Sequence, residues 1–410
     1  MSRTSQLICL LAIGLGARNA GADASTPNFL PFGERASMLG NAGITSSQGE
    51  AVYYNPANLG RIDYPSLSVS GSTFLLYEIS IDPYISIDGE DQPFAASGFV
   101  AIPSALISTY QIGTYTLATA ILVPDALTYK SRQTFTFANE RDTSLTEVLS
   151  QSMWLGGGIG REIVPGLYAG VSGFVRRDTS NRISAYRAQW SDGYFEQIVS
   201  VDQAVLNLVG VLGIQWQPSN RFGVGLRAQL PSVELTGSQD RWSSFVQADA
   251  MGLITDNTEQ EFEDLHASNP SPTDLGLGIS ARPHPKVELM LDVGVQLPAT
   301  YTVLETPMGN QTTKYVTTMR ANLGMEIEIA TNKWLRAGAM HTPMAVEDGT
   351  EDYTGGTLGF SFLRDRTITS IGVFAAQATP DNEVIGTDPV ETTQARVRLY
   401  GGLIAISYRL

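Results

Sequence analysis

The side chains able to exchange protons near neutrality are three histidines, His266, His284 and His341, all in the second half of a 410-residue chain. No Gly-x-Ser-x-Gly stretch accompanies them, so the usual signature of a serine nucleophile on a sharp strand-to-helix turn is missing. A hydrolytic site built on His341 would have to recruit partners from distant segments, and an enzyme is not the expectation. The single cysteine, Cys9, falls within an apolar leader. Once that leader is removed no thiol remains for a disulfide or a thiolate-bound metal, and neither a metal site nor a cofactor is expected. Arg227 and Arg320 suggest different chemistry. Each interrupts a run of apolar and small residues, where a buried ligand carboxylate would want a cation. Pairing with nearby carboxylates such as Asp292, Glu326 or Glu328 is the other reading, and Arg176 is a candidate to join either arrangement.

The elements that carry these residues are written with a period of two. Val287, Leu289, Leu291, Val293, Val295 and Leu297 alternate with Glu288, Met290, Asp292, Gly294 and Gln296. Leu275, Leu277 and Ile279 alternate with Gly276, Gly278 and Ser280, and Phe222, Val224, Leu226 and Ala228 with Gly223, Gly225, Arg227 and Gln229. Tyr315, Met319, Ala321, Leu323 and Met325 set off Arg320, Asn322, Gly324 and Glu326 in the same way. Successive strand side chains point to opposite faces, so each ribbon has an oily side and a polar one. A soluble sandwich would also alternate, and the connections decide between the two. Short turns near 111–113, 164–166, 218–221, 282–285, 331–333 and 364–366 take turns with long polar connections near 81–93, 126–145, 189–194, 238–270, 305–311, 346–353 and 379–391. Transmembrane barrels have this asymmetry, and the count it gives is about 14 antiparallel strands, an even number as single-chain bacterial barrels require.

Composition agrees. Charged residues are 16% of the chain, against about 25% in ordinary globular domains. No apolar run of about 20 residues offers a membrane helix, and a closed barrel is the remaining way to satisfy every backbone amide in lipid. Arg3, the apolar stretch from Leu7 to Leu15 and the sequence Ala22-Asp23-Ala24 read as a secretory signal over residues 1–24. The formal charge of −15 becomes −16 on losing two basic residues and one acidic one from that leader, which argues against nucleic acid as a partner. Acidic positions such as Glu259, Glu261, Glu263 and Asp264 fall in the long connections, as solvated surface or as sites for cations bridging to lipopolysaccharide.

Residues 25–65 precede the barrel, 66–410. They hold Gly33-Glu34-Arg35-Ala36, then small residues, then Tyr54-Asn55-Pro56-Ala57. A disordered tail would leave Phe29, Phe32, Tyr53 and Tyr54 in water at a cost, so a plug folded inside the lumen is expected. In the order and place of these motifs the chain resembles the long-chain fatty acid transporter family of Gram-negative outer membranes and its hydrocarbon-uptake relatives. The resemblance implies a luminal hatch carrying Gly33, Arg35, Asn55, Pro56 and Ala57. It also implies passive uptake of fatty acids or other hydrophobic small molecules, captured by outer loops and released sideways into the membrane. Secretion-associated barrels share the motif, and a structural or docking barrel is the alternative.

Three further expectations follow for the proposed route. In the longest connection Phe245, Met251, Leu253 and Ile254, at roughly helical spacing, form a capture surface or else pack to close the mouth. Pro103 sits inside a strand where it cannot donate a ladder hydrogen bond, marking either a lateral opening or a bulge. Tyr400, Gly402, Ile404, Ile406, Tyr408 and Leu410 share one face of a last strand resembling the signal read by the barrel-assembly machinery, though Leu410 stands where Phe is typical. Arg396 and Arg398 continue that face above the hydrocarbon, unless a bulge at Gly401-Gly402 turns them inward. A monomer in the outer membrane, bathed in lipid and lipopolysaccharide, completes the reading.

Overall fold

Alternating residues of this kind form antiparallel ribbons. The computed structural model describes residues 30–87, 89–137, 140–306, 309–347, 349, 352–384 and 391–410. The expected leader and residues 25–29 lie outside the described residues. The chain runs through β1 (Ser66–Ile87), β2 (Glu90–Ile112), β3 (Tyr115–Thr136), β4 (Glu140–Val164), β5 (Leu167–Trp190) and β6 (Gly193–Ser219). β7 (Phe222–Gln229), β8 (Val233–Asp249), β9 (Ile254–His266), β10 (Asp274–His284), β11 (Val287–Gln296), β12 (Ala299–Thr306) and β13 (Gly309–Tyr315) follow. β14 (Thr318–Ala330), β15 (Lys333–Thr342), β16 (Tyr353–Arg364), β17 (Thr367–Ala378), β18 (Asp381–Glu383) and β19 (Thr392–Arg409) complete it.

Fourteen of these close a ring: β1 to β7, β10, β11, β14 to β17 and β19, each antiparallel to the next. The last strand pairs back onto the first, from Ser66 opposite Arg409 to Ile81 opposite Ala395. Closure leaves no strand edge to be solvated, which is what hydrocarbon demands. The faces fall as the alternation requires. On β11, Leu289 and Leu291 are exposed outward while Glu288, Met290, Asp292 and Gln296 are buried inward. The outer wall repeats this around the ring with Leu226, Leu277, Leu323, Leu358 and Ile404. At one end the strands are joined by tight turns, helped by left-handed backbone at Gly113, Gly166, Asn332 and Asp365.

At the other end the structure departs from expectation. Several of the supposed long loops are the strands themselves carried onward as hairpins. β4 has 25 residues and β6 has 27, where about 9–11 suffice to cross a membrane. The upper half of β6 leaves β7 and pairs with β8, which pairs with β9, making a sheet that stands above the barrel. Alternation cannot mark where hydrocarbon ends when both sides of an emergent sheet remain paired. For the same reason Tyr315, expected on the lipid face, belongs to the outer hairpin β12–β13, and its buried hydroxyl donates to the Pro270 carbonyl at 3.1 Å. β19 keeps one register against β17 from Tyr408 to Val397, so Arg396 and Arg398 stay on the outer face and the inward bulge does not occur.

Leu291→Arg, in the middle of the lipid-facing row of β11, is expected to destabilise the barrel by about 2–4 kcal/mol. Chemical unfolding in lipid vesicles, followed by tryptophan fluorescence, measures it.

Candidate functional site

The lumen is occupied. Residues 30–62 are almost wholly buried and fold into two 3-10 turns, Ala36–Leu39 and Pro56–Arg61, and one short helix, Ala51–Tyr54. Asn55 starts the second turn: its side-chain oxygen accepts from Ala57 N–H, Pro56 supplies the fixed φ of a first helical position, and its amide donates to the Ile44 and Ile214 carbonyls. The Asn-Pro-Ala motif is thus a cap that also ties the segment to β6. Phe32, Val52, Tyr53, Tyr54 and Leu59 pack against inward residues of β2 to β6, among them Ile107, Leu122, Trp154, Phe174 and Val209. On the opposite wall the backbones nearly touch. Gly40 has φ +61°, and a Cβ there would meet the Ala339 carbonyl at 2.6 Å; Gly338 faces it with equally little room.

Carboxylates hold the polar side of this segment. Glu50 accepts the backbone N–H groups of Glu34, Arg35 and Ala36 and the Ser46 hydroxyl. Asp292 of β11 accepts those of Gly43 and Ile44 at 2.7 and 2.8 Å. Arg35 reaches into the wall and donates to Glu288 at 2.9 Å and to Glu326 at 3.0 Å, where Arg282 and Arg336 also converge. Arg227 and Arg320 both bond Asp274, and Arg227 also donates to Gln229 and to the Tyr53 carbonyl. Arg176 is held by Asp178 and the Asn269 carbonyl. The luminal arginines therefore meet protein oxygens. The sequence contains the partners, but pairings between residues 35 and 326, or 227 and 274, are set only by the ring.

The other side of the lumen is apolar. Ile85, Phe135 and Phe137 cluster near the hairpin tips, and Tyr84 joins them to Ile81, Phe94 and Ala395. Ile79 connects these to Leu75, Tyr77, Met340, Phe374 and Leu399, and Val100 connects that group to Val123 and Ala126. The result is one unbroken apolar column from the outer tips to β3. It ends at a fault in the wall. The β2–β3 ladder runs from Ile112 opposite Tyr115 to Ala105 opposite Leu122 and beyond that has the single pair Ser97–Lys130, so 98–104 and 123–129 are not laddered to each other, while 98–103 stay paired with β1 and 125–129 with β4. At the same height β1 shifts register against β19 between Ser70 and Phe74, and β3 shifts against β4 between Leu122 and Asp125. Pro103 of β2 and Pro124 of β3 lie in this interval, each without an N–H to donate. Two prolines at matching depth in adjacent strands are the sequence signal of this fault, and Pro124 is the one that reading strands singly misses.

The capture residues are not helical. Phe245 lies in β8 and packs on Phe195 at 5.1 Å, with Tyr186 and Trp190 nearby, whereas Met251, Leu253 and Ile254 lie exposed around the β8–β9 turn. Strand geometry puts neighbouring residues on opposite faces, which dissolves the grouping that helical spacing implied. The histidines are dispersed: His266 faces Glu234, His284 accepts the Lys286 N–H, and His341 meets the Thr354 hydroxyl. A concavity of about 690 Å³ adjoins Phe374 but opens among the lipid-facing Leu358, Val373 and Tyr400.

Burial and the nearby Glu50 raise the Glu34 carboxyl to about 7, against the opposing pull of Arg336, Arg409 and a hydrogen bond with Ser407. A raised carboxyl stabilises the packed segment fully in acid, below its ordinary range, and loses that contribution as pH climbs through about 7. Protease cleavage within residues 30–62 is expected to quicken between about pH 5 and pH 8, with Glu34→Gln flattening the dependence. Arg35→Ala, which strips a partner from two buried carboxylates, is expected to cost about 3–5 kcal/mol, read from the same cleavage assay and from thermal unfolding.

No known family profile matches the sequence, and no curated protein matches it. Solved structures do. The toluene transporter TodX of Pseudomonas putida aligns over 93% of this chain and 99% of its own with a TM-score of 0.64 at 12% identity. A Pseudomonas aeruginosa FadL homologue aligns over 95% and 100% with a TM-score of 0.61 at 13% identity. The toluene transporter TbuX of Ralstonia pickettii aligns over 93% and 99% with a TM-score of 0.60 at 14% identity. The chain shares the fold of these three structures.

Proposed function

We propose that the protein is an outer-membrane channel for passive uptake of long-chain fatty acids or other hydrophobic small molecules into a Gram-negative bacterium. The observation that carries this reading is the apolar column, which joins the outer hairpin tips to the fault between β2 and β3. A docking or purely structural barrel has no need of an oily track through its interior. Here Arg35 ion-pairs residues 30–62 to Glu288 of β11 and Glu326 of β14, and further pairs link β7 and β14 to β10 and β15 to β14, apart from the column on β1 to β3. The hydrophobic solute enters among Tyr84, Phe94 and Phe135, descends past Ile79 and leaves sideways near Pro103. Residues 25–65 act as the hatch, with Gly33, Arg35, Asn55, Pro56 and Ala57 as its fastenings. Met251, Leu253 and Ile254 offer a first contact to an amphiphile at the membrane surface. In this reading Arg227 and Arg320 are structural rather than solute-binding, because both are engaged by Asp274 and Arg227 also holds the Tyr53 carbonyl. The barrel works as a monomer in lipid and lipopolysaccharide, and its last strand is the segment offered to the assembly machinery.

Transfer of a fluorescent long-chain fatty acid into vesicles containing the purified barrel is expected to exceed that into protein-free vesicles. Ile79→Asp places an unpaired charge in the column and is expected to lower the rate by about tenfold or more. Equal rates with and without protein, across both fatty acid and toluene-like probes, would overturn the proposal.

A further inference from the structure

The chain carries a formal charge of −15, yet along part of its short-turn end the strands finish on lysines and arginines. Arg221 lies in the β6–β7 turn, Arg282 and Lys286 sit at the β10–β11 turn, Lys333 opens β15, and Arg364 and Arg366 flank the β16–β17 turn. These turns are consecutive around the ring, because β7 pairs with β10, β11 with β14 and β15 with β16. Backbone hydrogen bonds fasten each to the next element: the Arg282 N–H donates to the Arg221 carbonyl at 2.7 Å, that of Glu328 to Lys286 at 2.8 Å, that of Leu363 to Asn332 at 2.9 Å and that of Arg409 to Arg366 at 2.8 Å. The cations therefore stand on one continuous, fixed edge, and all of them are exposed. Among the described residues Arg282 alone of these enters an ion pair, with Glu288, and its side chain is still 46% exposed. Asp365 and the partly buried Glu328 are the carboxylates set among them. Like charges held side by side in this way raise a positive potential that an anion relieves.

The depth of this edge selects the anion. Tight turns give the cations no reach beyond the membrane surface: Phe222 follows Arg221 directly, Leu335 is two residues from Lys333, and Trp216, Ile329 and Tyr408 are exposed on the outer wall nearby. Aromatic side chains with lysine and arginine at their margin mark the level of lipid headgroups. Short turns are the periplasmic ones in such barrels, and the leaflet on that side is made of glycerophospholipids. We propose that the arc from Arg221 to Arg366 is a binding site for anionic phospholipid, whose headgroup phosphodiesters lie against these cations while the acyl chains lie on the apolar wall above. The site depends on the outer-membrane location and stands whether or not the barrel carries a solute. The purified barrel in detergent, mixed with equal amounts of phosphatidylglycerol and phosphatidylcholine bearing the same acyl chains, gives the test, with retained lipid read by native mass spectrometry. Phosphatidylglycerol is expected to be retained about tenfold or more over phosphatidylcholine at low ionic strength, since one lysine or arginine at a membrane surface contributes about fivefold. The preference is expected to shrink in about 0.5 M salt. Joint substitution of Arg221→Gln, Lys286→Gln, Lys333→Gln and Arg366→Gln should bring the two lipids to parity in a protein whose tryptophan fluorescence is unchanged. Lys130→Gln with Lys314→Gln, which removes cations that pair with Glu147 and Glu347 on the outer extensions, should leave the preference intact. Equal retention of the two lipids by the unaltered protein overturns the site and hands the arc to an acidic periplasmic protein. A preference that survives the four substitutions, or one that vanishes with the outer pair, overturns it as well.

Discussion

Every backbone N–H and C=O facing hydrocarbon must find a partner within the protein, and this one requirement organises the molecule. It forces the ring to close from β19 onto β1, limits side chains on the outer wall to apolar types, and makes any lapse in the ladder a site that needs explanation. Where the β2–β3 ladder lapses, the buried Tyr77 hydroxyl of β1 donates to the Ala126 carbonyl of β3.

The interior is divided by chemistry. Buried arginines and carboxylates gather along β7, β10, β11, β14 and β15, and those of β7, β11 and β14 bond residues 30–62, while the apolar clusters lie mainly along β1 to β3, β17 and β19. Buried ion pairs contribute little net stability but are costly to break, so they specify position more than they strengthen the fold. They give the luminal segment one docked arrangement. Glycines at 40 and 338 bring the segment's backbone against the wall, and Asn55 anchors its far end. The apolar half is left as a separate column of packed side chains.

The extracellular side extends the same sheet rather than adding loops. Long β4, β5 and β6 rise past the membrane and gather β8 and β9, so the aromatic cluster of Tyr186, Phe195 and Phe245 is built on strands. Acidic residues on β9, including Glu259, Glu261 and Glu263, remain exposed, which discourages an unpaired edge from joining a neighbour of the same charge.

The sequence by itself determined the barrel, its even strand number, the inward and outward faces of β7, β10, β11, β14, β16 and β19, and the turns at one end. Those features are local: a period of two and a Gly, Asn or Asp at a tight turn are legible within ten residues. It also contained the motif residues Arg35 and Asn55 and the proline at 103, without saying what they touch. Only the tertiary structure decided that Arg35 meets Glu288 and Glu326, that Arg227 and Arg320 share Asp274, that Phe245 lies on a strand and Tyr315 in an outer hairpin, and that Tyr77 reaches Ala126. Each of these joins positions brought together by strand order and register around a closed ring, and no local pattern encodes a distance across a lumen.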